Sequence, residues 1–181
     1  MPVDIDRTRT LRGAACGAVA AAVWAVEQPL DKYAFSSTYD DVEWLGRAIT
    51  RGDGWHPAGL ALHISNGAVF GGVYANLAPL LPLPPASRGP LLSVGEHLAL
   101  WPLCGLSDRL HPARKRLPKL AGNRRAFAQS TLRHLLFGLV LGELERRVNA
   151  EPEPVPPQPE SDYSSNGHGS LERAASVERS S

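Results

Sequence analysis

The sequence predicts an all-α protein, a membrane-embedded bundle of about four helices that reads as two tandem helical hairpins. Three observations carry this expectation. Four apolar stretches, residues 13–30, 58–81, 89–106 and 126–147, are each 18 to 24 residues long. At about 1.5 Å of rise per residue they measure about 27–36 Å, close to the hydrocarbon thickness of a bilayer. The second stretch lies in a 34-residue run, Gly54–Ser87, without Asp, Glu, Lys or Arg. A surface helix of a water-exposed bundle needs a charged stripe, and this run has none. Glycine and alanine also recur at four-residue spacing inside the stretches, which membrane helices tolerate and soluble ones avoid.

Composition bounds the rest. A chain of 181 residues suits one domain with a tail. The net charge of +1 divides into −4 over residues 151–181 and +5 over residues 1–150. That balance excludes a polyanionic or polycationic protein. Cys16 and Cys104, both in apolar runs, exclude a disulfide framework and a four-cysteine zinc site. The mean hydropathy of −0.17 is lowered by the polar tail.

The N-terminal segment, residues 1–12, is basic, with Arg7, Arg9 and Arg12. The first helix is expected over about 13–30. Arginines before an apolar run, with Val23-Trp24-Ala25 as a cleavage site, also fit a signal peptide. The small-residue spacing Gly13, Gly17, Ala21 is a packing reason to keep the segment. A lipoprotein reading of Cys16 fails because Gly13 stands where a leucine is needed. Between the first two stretches, an interfacial helix is expected over about 38–51. Ser37 or Thr38 can cap it; Asp40, Asp41 and Glu43 fall in its first turn, and Arg47 and Arg51 lie near its end. Val42, Leu45 and Ile49 share one face, and Gly52 stops it.

The second helix is expected over about 58–81. Pro79, Pro82, Pro84, Pro85 and Pro90 make a stiff connection to the third, about 89–106, which Glu96-His97 interrupts. His111-Pro112 and Pro118 break the next connection. Its basic run, from Arg109 to Arg125, lacks interleaved aromatics, so it fits anionic headgroups and not nucleic acid. The fourth helix is expected over about 126–147 and contains Arg133-His134. Residues 149–181 are read as a disordered Pro/Ser-rich tail. Charge counting does not fix the orientation: with four spans, ten basic residues lie on one side and six on the side of the termini.

Two stretches share one pattern. His63-Ile-Ser-Asn-Gly67-Ala-Val69-Phe-Gly71 and His134-Leu-Leu-Phe-Gly138-Leu-Val140-Leu-Gly142 both read H-x-x-x-G-x-V-x-G. A duplicated hairpin explains the match. Gly59, Gly67, Gly71, Gly138 and Gly142 form ridges without side chains, on which a neighbouring backbone can seat. The ionisable groups Glu27, His63, Glu96, His97 and His134 are expected in one polar layer. Interhelical hydrogen bonding is the leading reading of that layer. A haem or metal site with His63 and His134 as ligands, and Glu27 and Glu96 as their partners, is a second. A proton or ion path is a third. No phosphate-binding loop, dinucleotide fingerprint, nucleophile elbow or zinc-protease motif occurs.

The stretches Ala61–Tyr74 and Arg133–Arg146 resemble those of small bacterial membrane proteins of about four helices and unknown function. The resemblance covers about residues 10–148. It implies four helices and a bacterial inner-membrane home, and it transfers no activity. The expected function is therefore a structural or interaction role without catalysis. The expected partners are the lipid bilayer and a homo-oligomer or membrane partner. A membrane haem or metal binder and a soluble helical binding module are the alternatives.

Overall fold

The computed structural model describes residues 6–150; the tail beyond Ala150 lies outside the described residues. Within them the chain is helices and turns, with no strand. The helices are α1 (Arg7–Ala34), α2 (Asp41–Ile49), α3 (Trp55–Leu77), α4 (Pro85–Leu100), α5 (Cys104–Leu110) and α6 (Arg124–Val148).

Each start has a local cause. Asp6 caps α1 by accepting from the Thr8 amide at 2.8 Å, Asp40 caps α2 through the Glu43 amide at 2.8 Å, and Asn123 caps α6 through the Ala126 amide at 3.1 Å. These side chains satisfy amides that have no partner in the first turn. The cap of α2 is thus Asp40, and not Ser37 or Thr38, whose side chains lie too early for its first free amides. Pro85 opens α4, where a missing N–H costs nothing. Pro102 ends it: residues Trp101–Leu103 form a 3-10 turn. The third stretch is therefore two helices, α4 and α5, and not one span over 89–106. The second half of the basic N-terminal segment belongs to the first helix. Helix α1 begins at Arg7, and Arg9 donates to the Ala75 carbonyl at 2.7 Å and pairs with Glu145 at 3.0 Å.

Two helical pairs make the bundle, α1 with α3 and α4 with α6, joined along α1 and α6. Both pairs close on glycine. A Cβ placed on Gly17 would overlap the Gly67 carbonyl oxygen, and one on Gly71 would overlap that of Gly13. In the other pair, a Cβ on Gly89 would overlap the Gly138 carbonyl oxygen, and Gly142 lies against the Gly89 Cα. Gly59 serves a different contact. It receives α2, whose Gly46 lies against the first turn of α3. The helix expected at an interface is thus docked on the bundle, with Val42 and Gly46 buried.

The polarity of the interior is unusual. Of the largest fully buried side chains, Arg133, Gln129, Asp31 and Ser93 are polar and only Leu141 is apolar. The outward faces of α1 and α6 are apolar between their ends instead. On α1, the exposed positions from Ala15 to Leu30 are Ala15, Val19, Val23, Val26, Pro29 and Leu30. On α6, from Ala128 to Leu139, they are Ala128, Leu132, Leu135 and Leu139. Among the described residues, no helix is long and apolar enough by mean hydropathy to cross a membrane. Of the four expected spans, three are long helices, α1, α3 and α6, the third stretch is broken, and none is apolar enough on average. The buried polar residues lower that average in α6, the His, Ser and Asn side chains lower it in α3, and α4 is only 16 residues long.

Candidate functional site

Helices α3 and α4 are not packed against each other. Between them lies a cleft of about 390 Å³, floored by α1 and α6 and covered at one end by α2, the 3-10 turn and α5. Its volume is within the range of small-molecule sites.

The cleft gathers four of the five residues expected in the polar layer: His63, Glu96, His97 and His134 all line it. Glu27 does not. It sits one turn before Asp31 on α1, with its Oε2 buried and unpartnered. Trp24 connects the histidines. Its ring lies 5.0 Å from that of His63 and 4.8 Å from that of His134, steeply inclined to both. His97 follows at 4.7 Å from His134.

Hydrogen bonds fix which nitrogens carry protons. His63 Nε2 faces the Ala21 carbonyl at 3.1 Å, and a carbonyl can only accept, so Nε2 is the donor. By the same reasoning His134 donates from Nδ1 to the Ser130 carbonyl at 2.8 Å. Thr131 gives its hydroxyl proton to the Phe127 carbonyl at 2.8 Å. Its oxygen then accepts from His97 Nε2 at 3.0 Å. That leaves His97 Nδ1 to accept from the Ser130 hydroxyl at 3.3 Å. His134 Nε2 remains, 3.8 Å from Glu96 Oε2, too far for a hydrogen bond.

Beside the cleft lies a network that the sequence reading missed. Arg133, next to His134 in the sequence, turns away from the cleft and is completely buried. Its Nη2 donates to Asp31 Oδ1 at 2.7 Å, its Nε donates to Asp31 Oδ2, and its Nη1 donates to Asp41 Oδ2. Trp24 Nε1 donates to Asp41 Oδ2 at 3.1 Å, and the Tyr39 hydroxyl donates to Asp41 Oδ1. Gln129 Nε2 reaches Asp31 Oδ1 at 2.8 Å. Burial, and then the neighbouring Asp41 charge, push the Tyr39 phenol well above its usual range. The signal for this network was Arg133 itself, since an arginine inside an apolar helix requires a carboxylate partner. Nothing in the spacing identified Asp31, ten positions before Asp41 and about a hundred before Arg133, as that partner.

The Ser130 hydroxyl is given to His97, and Cys16 is buried in the apolar core. Among the described residues, no three His, Cys, Asp or Glu side chains converge as a metal set. Trp24 packs edge-on against both His63 and His134.

Comparison with protein-family models, curated proteins and solved structures finds no match to this chain. The resemblance to small bacterial membrane proteins thus rests on the histidine–glycine motifs alone.

Proposed function

We propose that this chain is a small integral membrane helical bundle with a binding or structural role and no catalysis of its own, at home in a bacterial inner membrane. The observation that carries the reading is the exchange of polarity between interior and exterior. Arg133 and Asp31 are completely buried, while the outward faces of α1 and α6 carry valine and leucine between their charged ends. In water this arrangement would expose apolar faces while placing charge in the core, the reverse of the usual distribution. In lipid both features are expected, because ionisable residues face the bundle interior and apolar ones face the acyl chains.

Mean hydropathy understates such a lipid face, because it averages both sides of a helix. In α6 the polar Gln129, Ser130 and Arg133 are all buried. The glycine contacts add support, since helices in lipid associate through close backbone packing. The basic residues Arg114, Lys115, Arg116, Arg124 and Arg125, all exposed, would then lie against anionic headgroups. The test is fractionation of cells expressing the full chain. We expect the protein in the membrane pellet after an alkaline carbonate wash and in solution only after detergent. Release by carbonate alone contradicts the reading.

A further inference from the structure

The cleft has a definite chemical character. Its walls are aromatic: Trp24, Trp101, Phe70 and Phe137 line it. No lysine or arginine is among its lining residues, but the carboxylate of Glu96 is. Within the described residues Glu96 makes no hydrogen bond, and its side chain is 42% exposed. The other lining carboxylate, Asp41, is saturated by Arg133, Trp24 and Tyr39. One acid therefore faces the cleft with an open coordination shell.

We infer that this cleft binds an apolar organic cation, a quaternary ammonium, phosphonium or protonated amine carried on a hydrophobic body. Each wall contributes to that choice. Aromatic faces attract cations through the ring quadrupole, and more strongly where water is excluded. Glu96 stands half exposed at apolar walls with no hydrogen-bond donor, so a positive partner is the group it can still gain. His134 does not provide that partner in the tautomer fixed by Ser130, because its Nε2 is then a lone pair. An organic anion would meet Glu96 with no lysine or arginine in the lining to offset it. A neutral ligand would leave Glu96 as it is.

The cleft lies between α3 and α4, and the exposed Leu100 and Leu103 are among its lining residues. A lipophilic cation dissolved in the acyl region would pass there without crossing water. This route rests on the membrane reading above; the binding chemistry does not.

The test uses the full chain, purified and placed in nanodiscs, with empty nanodiscs as the blank. The probes are tetraphenylphosphonium and tetraphenylborate, which share shape and differ in charge. Binding is followed by tryptophan fluorescence and equilibrium dialysis. We expect saturable binding of the phosphonium and at least tenfold weaker protein-dependent binding of the borate. Glu96→Gln should weaken the phosphonium by about tenfold. Glu96→Asp should retain most of the preference, and Asn66→Trp, which fills the cleft from α3, should abolish binding. Circular dichroism of each variant establishes that it is folded, and Glu96→Asp keeps the comparison decisive if the glutamine variant is not. Equal binding of both probes, a folded Glu96→Gln that binds as the parent does, or no saturable binding overturns the inference. None of these bears on membrane insertion, which the carbonate wash decides separately.

Discussion

Arg133 of α6 and Asp31 of α1 form an ion pair in which both side chains are completely shielded from solvent, with Asp41 closing the guanidinium from α2. Three helices meet at this one group. Removing a single partner from a buried pair leaves an uncompensated charge, at a cost of about 3–5 kcal/mol. We expect Arg133→Ala to lose most of the folded yield and to lower stability by that amount in detergent unfolding. Asp31→Asn should cost less, because Asp41 still meets the guanidinium. An Arg133→Ala protein within about 1 kcal/mol of the parent would show that the pair does not hold the helices.

Tyr39 gives the same network a pH signature. Its folded phenol is raised by burial and by Asp41, so the unfolded chain releases that proton first, near pH 10. Stability from this group is complete below about pH 10 and is lost as the pH rises above it. Tyr39→Phe should lose about 1–3 kcal/mol at neutral pH, because an Asp41 oxygen is left without its donor. Its decline in alkali should be shallower than the parent's. Parallel alkaline decline in the two proteins would separate Tyr39 from the effect.

The glycine contacts predict a steric series. A single methyl at Gly17, Gly89 or Gly138 would meet backbone of the opposing helix, which cannot yield as a side-chain tip can. We expect Gly67→Leu and Gly138→Leu to cost about 1–3 kcal/mol or more and to broaden the size-exclusion profile. Leu139→Ala, half exposed on the outer face of α6, should melt within a few degrees of the parent. If both glycine variants behave like Leu139→Ala, the helices are not in contact at those positions.

The histidines predict a plain absorption spectrum. Trp24 packs edge-on against both His63 and His134 and occupies the space beside each ring. Purified protein should show no Soret band and less than one metal ion per chain. His63→Gln should fold normally, since an amide can still donate to the Ala21 carbonyl. A Soret band that disappears in His63→Gln or His134→Gln would restore the two residues as axial ligands.

What the sequence made legible follows from what is local. Four-residue spacing is a property of one helix, so the ridges at Gly67, Gly71, Gly138 and Gly142 could be read before any partner was known. Gly17 was legible in the same way, within Gly13, Gly17 and Ala21, but its pairing with Gly67, and Gly89 as the seat of Gly138, needed the fold. His63, His97 and His134 could be placed at one depth because hairpin topology sets depth. Glu27 left that layer because it lies about one turn beyond Trp24 on α1, beside Asp31 and past the end of the cleft. The Arg133 network was hidden for a related reason: Asp31 and Asp41 look like ordinary polar residues flanking a loop. Mean hydropathy misled in the opposite sense, because it adds the buried polar face of α6 to its apolar outer one.

The central claim is that the apolar outer faces meet lipid, and spin-label accessibility tests it most directly. Single cysteines at positions 19, 69 and 135, in a background with Cys16 and Cys104 replaced by alanine, carry nitroxide labels in reconstituted liposomes. Power saturation then compares collisions with oxygen, which concentrates in acyl chains, against a water-soluble nickel chelate. The account predicts oxygen-dominated relaxation at all three positions and chelate-dominated relaxation for a label at position 115 in the basic turn. Chelate-dominated relaxation at positions 19, 69 and 135 would place those faces in water and contradict it.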